Sequence, residues 1–159
     1  TLFLTIVLMF IGASPGSTGG GVKTSTFAIV IASLYATVRG LRDTVLFKRR
    51  VPSDTISKSF LLVTLAAIFC TLSTHFVITT QGTQYLSGMF EVTSAFGTVG
   101  LSVGDGGVRS LSALFTPIGK LAISFTMFVG RLGPLTLAVA VTRKAQERFR
   151  YPEGGVTIG

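Results

Sequence analysis

The sequence predicts an all-α integral membrane fold, built from repeats of a membrane helix, a short helix, a glycine-rich loop and a second membrane helix. Three observations predict it. Only 13% of the 159 residues are charged and mean hydropathy is +0.67, against about 25% charged in an average soluble domain. Two stretches have the ~20-residue length that crosses a bilayer as a helix: residues 59–80, where His75 is the one potentially charged side chain, and residues 121–142, where Arg131 is. Two glycine-rich runs each follow a short apolar segment and precede a longer one.

Taken in order, residues 1–14 are apolar but too short to span, which fits a half-membrane or re-entrant helix. Pro15-Gly16-Ser17-Thr18-Gly19-Gly20-Gly21 is a loop, because consecutive glycines each cost a helix about 1 kcal/mol relative to alanine. Residues 22–38 are apolar again, with Lys23 near the start. Residues 43–58 form a basic connector broken by Pro52, and Ser53 is a candidate N-cap for the next helix. A full-length membrane helix is predicted over 56–80, a short amphipathic helix over 85–96, a glycine-rich loop from Gly97 to Gly107, and a last long helix over 111–142. A basic, then glycine-rich tail covers 143–159.

The net charge of +8 reflects topology rather than nucleic-acid binding. Arg39, Arg42, Lys48, Arg49, Arg50 and Lys58 lie between hydrophobic segments, and Arg143, Lys144, Arg148 and Arg150 follow the last one. Short loops rich in Lys and Arg stay in the cytoplasm, so the connector and the C-terminus are expected there. A single cysteine, Cys70, and a single histidine leave no disulfide and no two-histidine metal motif within the chain. The chain opens at Thr1 in an apolar stretch with no charged leader, which reads as a portion of a longer protein and not as a signal peptide.

Residues 1–42 repeat the pattern of 56–142 without its leading helix. At an offset of 81, Gly16 falls on Gly97, Ser17 on Thr98, Thr18 on Val99 and Gly19 on Gly100. Both loops thus read glycine, hydroxyl, β-branched, glycine. The domain organisation expected is a partial repeat over 1–42, a cytoplasmic connector over 43–55, a complete repeat over 56–142 and a cytoplasmic tail over 143–159.

Non-helical backbone at membrane depth is tolerated where it is buried in protein or lines a water-filled path. Rings of backbone carbonyls that replace an ion's hydration shell make a cation filter, and glycine adopts the dihedrals this needs. The C-terminal end of a short preceding helix carries partial negative charge and favours a cation. Residues 1–14 and 85–96 are assigned that role. Thr98-Val99-Gly100 matches the first three residues of the potassium-channel filter, whereas Leu101-Ser102 departs from its ending. The candidate filter residues are Ser17, Thr18, Gly19, Gly20, Thr98, Val99, Gly100 and Leu101, with no metal beyond potassium. Gly16 and Gly97 serve either the filter or only the turn.

The string Gly12-Ala13-Ser14-Pro15-Gly16-Ser17-Thr18-Gly19-Gly20-Gly21-Val22-Lys23-Thr24 resembles the third pore loop of the Trk/Ktr/HKT superfamily of potassium transporters. Phe90-Glu91-Val92-Thr93-Ser94-Ala95-Phe96-Gly97-Thr98-Val99-Gly100-Leu101-Ser102 resembles the fourth. Gly130-Arg131-Leu132-Gly133-Pro134-Leu135-Thr136 is similar to the last inner helix, and Phe47-Lys48-Arg49-Arg50 and the ending from Tyr151 to Gly159 are similar to KtrB-type membrane subunits. The resemblance covers nearly the whole chain. It implies four repeats around one pore with pseudo-fourfold symmetry, of which the first two and the outer helix of the third are absent here. It also implies potassium uptake across a bacterial plasma membrane, with sodium as a candidate coupling ion. The partners it implies are a second pore subunit in a homodimer and a cytosolic KtrA-type ring, which alone carries nucleotide.

Further residues take their expected roles beside this frame. An arginine at mid-bilayer costs at least ~2.5–3.5 kcal/mol, so Arg131 is expected to face water or a carboxylate. The resemblance places it in the pore below the filter, and a structural ion pair is the alternative. Ala32, Ser33, Ala36 and Thr37 are small for a membrane helix. The resemblance implies a gate-forming interruption there, while small residues also permit close helix packing. Glu91 either braces the filter or caps the loop, and no second carboxylate nearby supports acid–base work. Lys23 either repels cations or bonds loop carbonyls. His75 is expected in packing or at an interface. The segment from Lys48 to Arg50 anchors the cytoplasmic side and is a candidate dock for the regulator or for anionic lipid. A membrane enzyme lacks a catalytic cluster here, so the remaining rival is a non-conducting scaffold subunit that anchors cytosolic partners.

Overall fold

A computed structural model describes residues 1–41, 43–104 and 109–133. The tail at 143–159 and residues 134–142 of the helix expected over 111–142 fall outside the described residues, as does Arg42. The described chain is mainly α-helical. Its elements are α1 (Leu2–Phe10), α2 (Thr24–Val38), a hairpin of β1 (Val45–Leu46) and β2 (Arg49–Arg50), α3 (Ser53–Gln81), α4 (Tyr85–Gly97), a 3-10 turn (Leu111–Leu114) and α5 (Pro117–Leu132).

The 29 residues of α3 are long and apolar enough to cross a membrane by length and composition. At 1.5 Å per residue they extend roughly 44 Å, beyond a hydrocarbon core of ~30 Å. Its outward face is apolar, with Leu61, Ile68, Leu72 and Phe76 exposed. Hydroxyls along it are satisfied internally: Thr71 donates to the Ala67 carbonyl, Thr79 to His75 and Thr80 to Phe76. A polar side chain in apolar surroundings needs such a partner. Ser53 is the first helical residue of α3 and Pro52 its N-cap, with no side-chain cap bond; proline's fixed φ suits the extended cap geometry, which displaces the cap expected at Ser53.

By length, α1 with 9 residues and α4 with 13 reach only about 14 and 20 Å, less than a bilayer. The packing centre is α4, buried continuously from Phe90 to Gly97. It lies against α1, α3 and α5, while α2 packs on α3. Phe96 is fully buried with Val22, Ala66, Cys70 and Val129, flanked by Phe10 and Phe69. Val77, Val92, Ala95, Phe115 and Ile123 form a second cluster.

The structure adds one element to the sequence reading and corrects another. The basic connector contains a tight hairpin, with Val45 opposite Arg50 and Leu46 opposite Arg49. Its turn places Phe47 and Lys48 at φ 48° and 62°, where Asn and Gly usually sit, and Asp43 pairs with Arg50 at 2.8 Å. The helix expected from 111 is also not continuous. The 3-10 turn ends at Leu114, Thr116 becomes the N-cap of α5, and Pro117 takes its first position. Gln81, the last residue of α3, fixes this junction. Its Oε1 accepts the Thr116 amide at 2.8 Å, and its Nε2 donates to the Thr116 hydroxyl at 3.0 Å.

Candidate functional site

The C-terminal ends of α1 and α4 come together. The Phe10 and Phe96 rings stack at 6.1 Å between centroids. A Cβ on Gly97 would stand 2.6 Å from the Met9 carbonyl oxygen, so this position needs glycine for close helix approach. Gly97 is the last residue of α4, whereas Gly16 turns at φ 85° with open space around it. The two glycines aligned by the repeat therefore do different jobs.

Each helix end is followed by an ordered loop. After α1, Ile11 pairs with Val22, the Gly12 amide donates to the Val22 carbonyl at 2.8 Å, and the Val22 amide donates to Phe10 at 3.2 Å. After α4, the Thr98 amide donates to the Ala95 carbonyl at 3.0 Å and the Val99 amide to Ser94 at 2.9 Å. This is a Schellman cap with Thr98 at φ 52°, in the left-handed position that glycine usually fills. A β-branched residue there is strained by about 1–2 kcal/mol.

The two loops meet at an almost bare backbone junction. The Gly20 amide donates to the Thr98 hydroxyl at 2.8 Å, and the Gly21 amide donates to the Gly130 carbonyl of α5 at 3.2 Å. A Cβ on Gly20 would lie 2.7 Å from the Phe96 carbonyl oxygen, and one on Gly130 would overlap that same oxygen. On the other side of the third loop, the Lys23 ammonium donates to the Gly19 carbonyl at 2.7 Å and to the Ser17 carbonyl at 3.4 Å. The Ser17 hydroxyl accepts the Gly19 amide at 3.3 Å. Lys23 thus bonds loop carbonyls, one of the two roles open to it.

Glu91 is buried and braces the loop after α4. Its Oε2 accepts from the Ser102 hydroxyl at 2.6 Å, and its Oε1 accepts the Ser112 amide at 3.0 Å. Ser102 Oγ in turn accepts the Leu111 amide at 2.8 Å and the Gly104 amide at 3.3 Å. A cavity of about 310 Å³ opens beside this network, lined by Glu91, Ser94, Thr98, Gly100, Ser102 and Ser112 among others. Gly100 has φ 83°, and a side chain there would meet nothing within 4 Å.

The remaining candidates separate from this cluster. Thr18, Val99 and Leu101 are exposed among the described residues. Ala32, Ser33, Ala36 and Thr37 lie inside an uninterrupted α2. Ser33 and Ala36 are on its buried face, and the Thr37 hydroxyl donates to the Ser33 carbonyl at 2.9 Å, which is the close-packing role and not a break in the helix. Arg131 is exposed in the last turn of α5, adjacent to Gly130, and among the described residues it meets no carboxylate. His75 is exposed on α3 and lies outside the core. Sequence reasoning missed Ser102, Ser112 and Gln81. Their roles are contacts between distant segments, and no local spacing announces them.

The class of protein follows from likeness in sequence. Residues 1–150 match the TrkH family, described as a cation transport protein, and the chain belongs to that family. Among its relatives, the Ktr system potassium uptake protein B of Bacillus subtilis is 39% identical over 160 residues, covering 100% of this chain and 34% of the relative. The Ktr system potassium uptake protein D of the same organism is 41% identical over 161 residues, covering 100% and 34%. The Ktr system potassium uptake protein B of Vibrio alginolyticus is 37% identical over 158 residues, covering 99% and 33%. The chain thus spans about a third of the length of these relatives.

Proposed function

We propose that this chain forms part of a potassium uptake pathway across the plasma membrane, contributing two of its channel-like loops. The observation that carries the reading is the convergence of two short helices by their C-terminal ends, at Met9 and Phe10 with Phe96 and Gly97. Each aims a partial negative charge of about half an elementary unit at one place, and each is followed by a glycine-rich loop with exposed backbone. The carbonyls of residues 17–20 and 98–101 take the place of ion hydration, those of Ser17 and Gly19 through the lone pair that the Lys23 ammonium leaves free. In the fourth-repeat loop, Glu91 holds the far side of that backbone through Ser102. Arg131 stands one residue beyond the Gly130 junction and modulates ion passage from below. The parent protein works as a homodimer in the bilayer, with its connector and tail on the cytoplasmic side. A cytosolic nucleotide-binding ring regulates it, and sodium is the candidate coupling ion.

The test uses the full-length parent protein in bacteria lacking their own potassium uptake, comparing wild type with Gly100→Ser. Serine has space at this position but adopts φ 83° only with strain. Wild type is expected to restore growth at low potassium, and the variant to lose potassium affinity or admit sodium. A wild type that moves no cation when expressed with its regulator would refute the reading in favour of a scaffold subunit.

A further inference from the structure

We infer that Thr98 is a positioning residue whose hydroxyl sets where the Gly19 carbonyl points, and that this hydroxyl does not itself ligate the ion. The inference rests on the transport reading above and adds to it the element that orients the third-loop carbonyl.

The geometry runs through one peptide group. The Gly19 carbonyl and the Gly20 amide belong to the same planar unit, so fixing the amide fixes the carbonyl. The Gly20 amide donates to the Thr98 hydroxyl at 2.8 Å, and the Gly19 carbonyl accepts the Lys23 ammonium at 2.7 Å. The plane is pinned at both ends by side chains from different segments. Glycine on both sides leaves this peptide freer to rotate than any other pairing would, so the pins decide its orientation. Gly20 is buried, and among the described residues the Thr98 hydroxyl is the acceptor its amide meets. A buried amide without an acceptor is costly.

The residue at 98 fits this role better than that of an ordinary cap. It occupies the left-handed position of a Schellman cap at φ 52°, where glycine would relieve strain but offer no acceptor. Ser17, its partner in the repeat, spends its hydroxyl on the Gly19 amide of its own loop at 3.3 Å. Only the fourth-repeat hydroxyl reaches across to the other loop.

The experiment uses the full-length parent protein in potassium-loaded and potassium-free proteoliposomes. It compares wild type, Thr98→Ser, Thr98→Gly and Thr98→Val. Potassium against sodium uptake is measured together with hydrogen exchange of the peptide containing Gly20. Thr98→Ser retains the acceptor and is expected to keep both discrimination and slow exchange. Thr98→Gly removes the hydroxyl while easing the backbone, and the relieved strain offsets the unpaired Gly20 amide, so thermal stability stays near wild type while potassium discrimination falls about fivefold, the worth of one hydrogen bond. Exchange at Gly20 is expected to accelerate in Thr98→Gly and Thr98→Val, with or without potassium. The inference is overturned if both variants keep wild-type protection at Gly20, or if protection is lost and discrimination stays unchanged. Protection that exists only when potassium is bound also overturns it, because the hydroxyl would then answer to the ion. A wild type that conducts no cation overturns the transport reading itself, while exchange still decides whether the clasp exists.

Discussion

Removing the Glu91 carboxylate by Glu91→Ala is expected to unfasten the loop that follows α4. The residue is 6% exposed, so the bonds it accepts are shielded from water. It takes two: the Ser102 hydroxyl at 2.6 Å and the Ser112 amide at 3.0 Å. Hydrogen bonds to charged groups contribute about 1.5–3 kcal/mol each. Alanine therefore loses roughly 3–6 kcal/mol of loop anchoring as an upper bound, less whatever water recovers in the adjoining cavity. Glu91→Gln keeps an acceptor for Ser112 but turns a donor toward Ser102, whose oxygen already accepts two amides. It should lose about half as much, near 1.5–3 kcal/mol. The assay is limited proteolysis of the purified parent protein, followed at the segment between residues 98 and 112, beside thermal unfolding. The expected order of resistance is wild type, then Gln, then Ala, with cleavage of the Ala variant faster by an order of magnitude or more. Equal cleavage of wild type and Glu91→Ala would refute the reasoning, since a carboxylate that braces nothing can be removed without consequence.

Three further outcomes follow from the same contacts. Gly130→Ala drives a methyl group into the Phe96 carbonyl and is expected to destabilise the parent protein by about 1–3 kcal/mol or prevent its assembly, read by thermal unfolding and by yield in membranes. Gln81→Ala removes both bonds to Thr116 and should lower stability by about 1–2 kcal/mol, whereas Arg50→Ala, which breaks only an exposed ion pair, should change it by less than about 1 kcal/mol. Lys23→Gln keeps a donor for the Gly19 carbonyl but removes a positive charge beside the loop; relief of roughly 1 kcal/mol of repulsion is expected to tighten apparent potassium affinity about fivefold in a rubidium uptake assay.

Much of the helical framework was legible because polarity and glycine mark it. The absence of charge between 59 and 80 fixes α3 to within a few residues, and the glycines at 19–21 mark the loop before α2, although α1 already ends at Phe10. The hairpin was not legible, since Phe47 and Lys48 carry no turn signal and occupy left-handed backbone against their preference. The break before α5 was available in principle from Thr116-Pro117, a cap followed by a first-turn proline, but the apolar residues around it hid it. Of the candidate site, the loops were visible as glycine-rich strings, and Glu91 as a carboxylate in an apolar helix. The clasp between Gly20 and Thr98 joins residues 78 positions apart, and no local pattern encodes such a pairing. The repeat offset was informative about sequence and misleading about geometry, because Gly16 and Gly97 are aligned by it yet differ in backbone and in surroundings.

The meeting of Gly20, Phe96 and Gly130 is made of main chain, with the Thr98 side chain at its edge. A contact between side chains can be retuned by exchanging one methyl for another, but a contact between carbonyls and α-carbons has no such adjustable part. Substitution at either glycine can only force the three segments apart. Under the proposed transport role, variants selected for altered transport should therefore accumulate at positions that surround the junction, such as Thr98, Lys23 and Glu91, while the two glycines stay unchanged.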